Sequence, residues 1–153
     1  MKETITTLQN GYLYIATGQK YIDEALVSLR SLRRFVPDAH ATLITDEPFK
    51  HPAFNRVQIF SSADFASSWT GGLLYRVAAM GTTPYQKTFF IDSDTYFTDS
   101  CEELFRLLDF FDVLVASSPA DVSNIELDGE ALQGYTPHHM GVIVFRKNEK
   151  TQL

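Results

Sequence analysis

The chain has 153 residues, 44% of them hydrophobic and 21% charged, so we expect one globular domain. Its net charge of −6 argues against nucleic acid as the main partner, and a substrate with phosphates would need a local cation. The single cysteine, Cys101, excludes an internal disulfide framework and a CxxC zinc site. No apolar run approaches the length of a transmembrane segment, and we expect a cytoplasmic protein.

Six short apolar segments have the composition of buried strands. They are Tyr12–Ala16, Ala41–Thr45, Val57–Phe60, Lys87–Ile91, Val113–Ala116 and Met140–Phe145. Segments with helical periodicity separate several of them. This alternation predicts an α/β fold, with a mostly parallel, Rossmann-like sheet and helices on both faces.

The first helix follows a turn at Gly18 and shows one apolar face as far as Val36, where Pro37 ends it. Asp23 and Glu24 would lie in its first turn and several arginines near its end, which matches the helix dipole. We therefore expect these arginines to serve the fold rather than a ligand.

Two further helices are expected in the second half of the chain. One covers Trp69–Met80, although the pair Gly71–Gly72 weakens its start. The other opens at Ser100–Glu103, which has the capping-box form S-x-x-E. Residues 117–137 lack periodicity and predict a long loop over one face.

The candidate chemistry lies where the fourth predicted strand ends, at Asp92, Ser93 and Asp94. Side chains alternate along an extended chain, so both aspartates would point the same way. Two carboxylates at the carboxyl end of a buried strand make an oxygen site suited to Mn²⁺ or Mg²⁺. Open α/β sheets also bind ligands at this edge. The alternative is an ordinary turn, because acids often follow strands.

Other motifs fit this stretch less well. A calcium EF-hand loop would need an oxygen ligand and a glycine where the chain has Tyr96 and Phe97. A phosphotransferase of the haloacid dehalogenase type would carry Thr at position 96, with the motif on its first strand. Neither a P-loop nor a dinucleotide-binding glycine motif is present. A metal held by two acids, with the metal holding phosphates, remains the best interpretation.

Residues 89–95, FFIDSDT, resemble the DxD motif of GT-A glycosyltransferases, closest to glycogenin and other family 8-like nucleotide-sugar transferases. Three more features support the resemblance. Residues 17–21 resemble the segment that contacts the nucleotide base, and Arg76 stands where the family has a cation at the donor. Residues 141–146 resemble a strand near the donor sugar. The resemblance covers residues 12–148.

The resemblance implies a GT-A fold, incomplete at the C-terminus, that forms one nucleotide-sugar-binding domain over residues 1–153. It implies transfer of a sugar from a UDP-sugar to an acceptor, which is a glycan, protein or lipid, with Mn²⁺ or Mg²⁺ as cofactor. Asp92 and Asp94 would hold the metal. The implied nucleotide-sugar contacts are Thr17, Tyr21, Asp46, Arg76, Asp92, Ser93 and Gly141.

The chain departs from the family pattern before Gly141, where His139 and Met140 replace the expected Asn-Ser pair. This departure leaves the donor sugar open. His138 and His139 would face opposite sides of a strand, so we do not assign both to one metal ion. Related domains continue further and there carry a third metal ligand. The chain is therefore expected to be truncated relative to them, and to transfer sugar slowly or undetectably.

Two other functions remain open. A nucleotide-sugar binding module would bind the donor without turnover. A nucleotidyltransferase also uses paired acids, but it would carry a glycine-rich basic loop after the first strand, which residues 17–21 match poorly.

Overall fold

The computed structural model describes residues 8–61, 69–117, 126–127, 130–131 and 138–151. In chain order the elements are β1 (Leu8–Ile15), α1 (Gln19–Leu32), β2 (Ala41–Thr45), β3 (Arg56–Ile59), α2 (Trp69–Gly81), β4 (Tyr85–Ile91), α3 (Glu103–Leu107), β5 (Val113–Ser117), β6 (Glu126–Leu127), β7 (Glu130–Ala131) and β8 (His138–Arg146). Every predicted strand and helix is present, and most of them have shifted ends. In the described parts of the chain, no helix is long and apolar enough to cross a membrane.

Six strands form one sheet in the order β3-β2-β1-β4-β8-β5. Strands β1, β2, β3 and β4 run parallel to one another, and β8 runs antiparallel to both β4 and β5. Strands β6 and β7 pair separately as a short antiparallel ribbon. The predicted mostly parallel α/β sheet is confirmed, and β8 is the strand that runs against the others.

Alternating side chains of the central strands build two apolar layers. Tyr12 and Tyr14 of β1 enter the layer that contains the buried face of α1, together with Phe105 of α3. Leu13 and Ile15 enter the opposite layer, which α2 covers. Because both faces of the sheet are buried, the strands are continuous apolar runs rather than alternating ones. The predicted helices on both faces are confirmed.

Helix α1 differs from its prediction at both ends. It begins at Gln19 and ends at Leu32, because the following turn tightens into hydrogen bonds between residues three apart. Val36 is buried but lies beyond the helix. Asp23 and Glu24 therefore lie in the second turn, and the expectation of acids in the first turn is wrong.

The arginines that follow α1 have structural partners, as expected. The Arg33 guanidinium donates to the carbonyl oxygen of Ala39 at 3.2 Å and to Asn55 Oδ1 at 3.1 Å. The Arg34 guanidinium donates to the hydroxyl of Tyr96 at 3.0 Å. These bonds tie the end of the helix to the start of β2 and to the segment that follows β4.

Two local predictions are wrong in the second half of the chain. Helix α3 starts at Glu103 without a side-chain cap, and the Ser100 hydroxyl instead accepts a bond from the Glu102 N–H at 3.4 Å. Ser and Thr hydroxyls often bond in this way to the backbone two residues on, in competition with a helix cap. Within residues 117–137, predicted as a loop, Ser117 ends β5 and strands β6 and β7 form the ribbon. The remainder of that segment lies outside the described residues.

Gly11 of β1 lies against the ring of Tyr85, which is fully buried at the start of β4. A Cβ at position 11 would lie 2.0 Å from the Cε1 atom of Tyr85. The ring is held in place because its hydroxyl bonds to Thr42 Oγ1 at 2.7 Å and to His40 Nδ1 at 2.8 Å. The pairing of β1 with β4 therefore requires a residue without a side chain at position 11.

We expect Gly11→Ala to lower the free energy of unfolding by about 1–3 kcal/mol, the usual cost of overpacking a core. Gly72→Ala is the matched control, because nothing lies within 4 Å of a Cβ at that exposed helical position. The control should be neutral or stabilising by up to ~1 kcal/mol. Urea unfolding of both variants measures the difference, and equal stabilities would show that the Tyr85 ring moves aside.

Candidate functional site

The carboxyl ends of β1, β2 and β4 meet at one edge of the sheet. Tyr14 of β1 pairs with Ile91 of β4, and β2 lies parallel to β1 on its other side. Thr17, Asp46 and Asp92 follow these three strand ends. The sheet therefore brings three of the predicted site residues to the edge where open α/β folds bind ligands.

The acidic motif lies in a turn and not on an extended chain. Strand β4 ends at Ile91, and the Thr95 N–H donates to the carbonyl oxygen of Asp92 at 3.1 Å. The alternation argument therefore does not hold for Asp94, whose side chain is exposed in this turn. Burial raises the pKa of the Asp92 carboxyl above its usual range, and the nearby charge of Asp94 raises it further.

Asp92 has a cationic partner, Arg76 of α2. The Arg76 Nη1 atom lies 3.0 Å from Asp92 Oδ1, and the arginine side chain is 44% exposed against 23% for the aspartate. Phe90 packs in the layer that α2 covers, so Asp92, two residues further on, leaves the strand towards the same helix. The Arg76 charge lowers the pKa of Asp92 and so opposes the effect of burial. Two predicted site residues from different elements are thus in direct contact.

The second oxygen of Asp92 faces the start of β8. The Asp92 N–H donates to the carbonyl oxygen of Gly141 at 2.7 Å. A Cβ on Gly141 would lie 2.9 Å from Asp92 Oδ2 and 2.6 Å from Cε1 of His139. A glycine at position 141 therefore leaves room for the carboxylate and the imidazole, which a larger residue would contact too closely. His139 Nδ1 accepts the Gly141 N–H at 3.1 Å, so the neutral ring carries its proton on Nε2.

Ser93 leaves the turn on the opposite side from Arg76. Its hydroxyl donates to Glu24 Oε2 of α1 at 3.2 Å, which ties the acidic turn to the helix. Tyr21 lies about one helical turn before Glu24, and 48% of its surface is exposed. Thr17 is half-buried just before Gly18, whose φ of 82° turns the chain into α1.

Asp46 lies apart from this cluster. Within the described residues, no hydrogen bond or ion pair joins it to Asp92, and its Oδ1 atom is buried with no hydrogen-bond partner. Burial raises the pKa of Tyr75 to about 12, and the nearby charge of Asp46 contributes to the rise. A buried acceptor without a donor is costly, so this oxygen is suited to an N–H or O–H group of a ligand.

The predicted donor set for a metal consists of Asp92 and Asp94. The described part of the chain contains no group of three His, Cys, Asp or Glu side chains arranged to hold a metal ion. One oxygen of Asp92 also pairs with Arg76. Magnesium sites commonly use one or two carboxylates, with phosphates and water completing the coordination. The residues present therefore fit a cation that binds together with a diphosphate, rather than a closed protein cage.

Two residues at this edge, His139 and Glu24, are not among the predicted site residues. His139 stands two residues before Gly141, so both lie on the same face of a strand, and this spacing is the signal that could have identified it. Glu24 carries no such signal, because an acid in the second turn of a surface helix is unremarkable.

The fold is that of GT-A glycosyltransferases, as the sequence resemblance implied. The chain is similar to the galactosyltransferase LgtC in complex with donor and acceptor sugar analogues, with a TM-score of 0.62 and 14% identity over 90% of this chain and 58% of that one. It is also similar to the bifunctional glycosyltransferase WbbM, with a TM-score of 0.59 and 14% identity over 95% of this chain and 32% of that one. TarS 1–349 of S. aureus gives a TM-score of 0.52 and 13% identity, over 89% and 47% of the two chains.

These comparisons bear on the fold alone, because the identities are so low. No protein-family model matches the sequence, and no curated protein matches it significantly. The chain spans 58% of the LgtC chain and smaller shares of the other two.

We expect Gly141→Ala to lower the free energy of unfolding by about 1 kcal/mol, the low end of the cost of overpacking. The effect should be small because the His139 ring is exposed and can move. In the double variant His139→Ala/Gly141→Ala the imidazole is absent, and at least half of the loss should be recovered. A double-mutant cycle by urea unfolding measures this coupling. If the losses of the two single variants add strictly in the double variant, the added methyl group collides with Asp92 and not with His139.

Proposed function

We propose that this chain binds a UDP-sugar at the carboxyl edge of its sheet, within a metal-dependent glycosyltransferase. The sugar would pass to an acceptor that is a glycan, protein or lipid. The observation that carries the proposal is the contact of Asp92 with Arg76 and Gly141, three residues implied by the family resemblance that lie far apart in the sequence. The shared fold with a galactosyltransferase bound to donor and acceptor sugar analogues supports it.

In this proposal Asp94 and Asp92 hold Mn²⁺ or Mg²⁺. When bound, such an ion neutralises negative charge on the diphosphate and on the leaving nucleotide. Arg76 supplies a second positive charge for the diphosphate, which matters in a protein of net charge −6. The bond from Ser93 to Glu24 fixes the turn that presents both aspartates.

The nucleoside would bind on the α1 side of the same edge. The exposed ring of Tyr21 offers a face on which uracil can stack. Thr17, two residues after the end of β1, lies at the same edge of the sheet. Asp46, with its buried and unpaired oxygen, is the acceptor for an N–H of the base or a hydroxyl of the ribose. Gly141, which has no side chain to collide with Asp92 or His139, lies at the end of the site assigned to the sugar.

A nucleotide-sugar binding module without turnover is the second candidate. It is favoured by the two-carboxylate donor set, since the described residues provide no group of three ligands. The two candidates differ in a transfer assay, in which UDP is released from a UDP-sugar only by the enzyme.

We also propose a cytoplasmic location, because a single cysteine cannot form an internal disulfide and suits a reducing compartment.

We expect UDP to bind more tightly as Mn²⁺ is added, and Mn²⁺ to bind more tightly with UDP by the same factor, because coupling between two ligands is reciprocal. Asp94→Asn keeps the side-chain size and removes the charge, so it should abolish the mutual enhancement. Asp38→Asn, at an exposed position remote from the site, is the matched control. Isothermal titration of UDP at several Mn²⁺ concentrations makes the measurement. A UDP affinity indifferent to Mn²⁺ would refute the metal assignment.

We expect Tyr21→Ala to weaken UDP binding by about 1–3 kcal/mol, the cost of a lost stack between a base and an aromatic ring. Tyr21→Phe keeps the ring and should bind like the parent protein. Titration with UDP, GDP, ADP and CMP identifies the preferred base. Equal losses in both Tyr21 variants would show that the hydroxyl, and not the ring, is used.

A further inference from the structure

We propose that Arg76 is a resident counter-ion of Asp92, which keeps a divalent cation from binding firmly until a diphosphate takes the guanidinium away. The inference rests on the proposed function and adds to it the physical origin of the coupling between cation and donor. It assigns Arg76 two successive partners, the Asp92 carboxylate in the free protein and the diphosphate in the complex.

In the free protein, the Asp92 carboxylate already has a cationic partner. One oxygen of Asp92 is paired in the free protein: Oδ1 lies 3.0 Å from Arg76 Nη1, whereas Oδ2 lies on the side of Gly141. Within the described residues, Asp94 is the carboxylate of the motif that has neither a hydrogen bond nor an ion pair. A cation arriving alone therefore finds Asp94, but at Asp92 it must compete with Arg76 for Oδ1.

The positive charge of Arg76 opposes a cation at the same carboxylate. A divalent cation at Asp92 Oδ1 would lie within a few ångströms of the guanidinium, and like charges at such distances repel strongly in a partly buried site. Asp92 cannot simply be left unpaired, because a half-buried carboxylate without a counter-charge is costly. Arg76 is therefore the favourable partner while no ligand is bound, and it is unfavourable once a cation arrives.

Arg76 is able to exchange Asp92 for a diphosphate as its partner. The Arg76 side chain is 44% exposed, long and flexible, so its guanidinium can move without disturbing the packing of α2. A diphosphate offers oxygens on two phosphates, which suit the fork of a guanidinium better than the single carboxylate oxygen it contacts now. The move frees Asp92 Oδ1 at the moment when phosphate oxygens become available to complete the coordination of the cation.

The experiment compares Mn²⁺ binding, with and without UDP, in the parent protein and in Arg76→Met and Arg76→Lys. Arg76→Met removes the charge, and we expect Mn²⁺ alone to bind about threefold to tenfold more tightly, with the enhancement by UDP falling towards one. Arg76→Lys keeps the charge, so Mn²⁺ alone should bind as weakly as in the parent. Arg30→Met is the matched control, since Arg30 is exposed in the last turn of α1 and its loss changes the net charge equally.

The inference is overturned if Mn²⁺ alone binds Arg76→Met no more tightly than the parent, or if UDP enhances Mn²⁺ binding equally in both. A purely structural ion pair predicts the first result and a simple donor contact predicts the second. Thermal unfolding of each variant verifies that it is folded. If the parent protein binds no UDP at any Mn²⁺ concentration, the proposed function itself fails, and this outcome is separate from the comparison among the Arg76 variants in Mn²⁺ alone.

Discussion

The pairing of β1 with β4 is the contact on which both the core and the candidate site depend. These two strands are central in the sheet, and their side chains alternate between the layer under α1 and the layer under α2. The turn that follows β4 also directs polar side chains towards both helices. Asp92 leaves the strand towards α2 and meets Arg76, and Ser93 leaves it towards α1 and meets Glu24. The packing that buries the sheet thus also distributes the polar groups at its edge.

The electrostatic character of the edge follows from the partial burial of one carboxylate. Burial alone would favour the neutral form of Asp92, and Arg76 restores the balance towards the charged form. Residues that satisfy an acid in the free protein compete with any cation that would bind to it. In the proposed coupling, a cation and a diphosphate each make the binding of the other more favourable.

The start of β8 distinguishes this chain from the pattern that it resembles. His139 and Met140 stand where the family resemblance led us to expect Asn and Ser, and the His139 ring lies beside Asp92. An imidazole with a proton on Nε2 presents a single donor, whereas an amide presents both donors and an acceptor. The polar groups at this edge therefore differ from those of the pattern, although the backbone follows the GT-A fold.

The sequence by itself determined the six strands of the main sheet and the order of these strands and the helices, because these depend on residues that are close neighbours in the chain. Composition was sufficient for β2, which is buried on both faces and has the predicted bounds. Helix ends were less predictable: α1 stops at Leu32 because local hydrogen bonds in its last turn outweigh the apolar pattern that continues to Val36.

Only the tertiary structure decided which groups meet. Arg76 contacts Asp92 because α2 packs on the face towards which Asp92 points, and Gly141 bonds to Asp92 because β8 pairs antiparallel with β4. A local pattern specifies the face of an element that is apolar, but it does not specify the partner that covers this face. The contacts of the site join elements far apart in the sequence, so they are settled by the packing of the whole sheet.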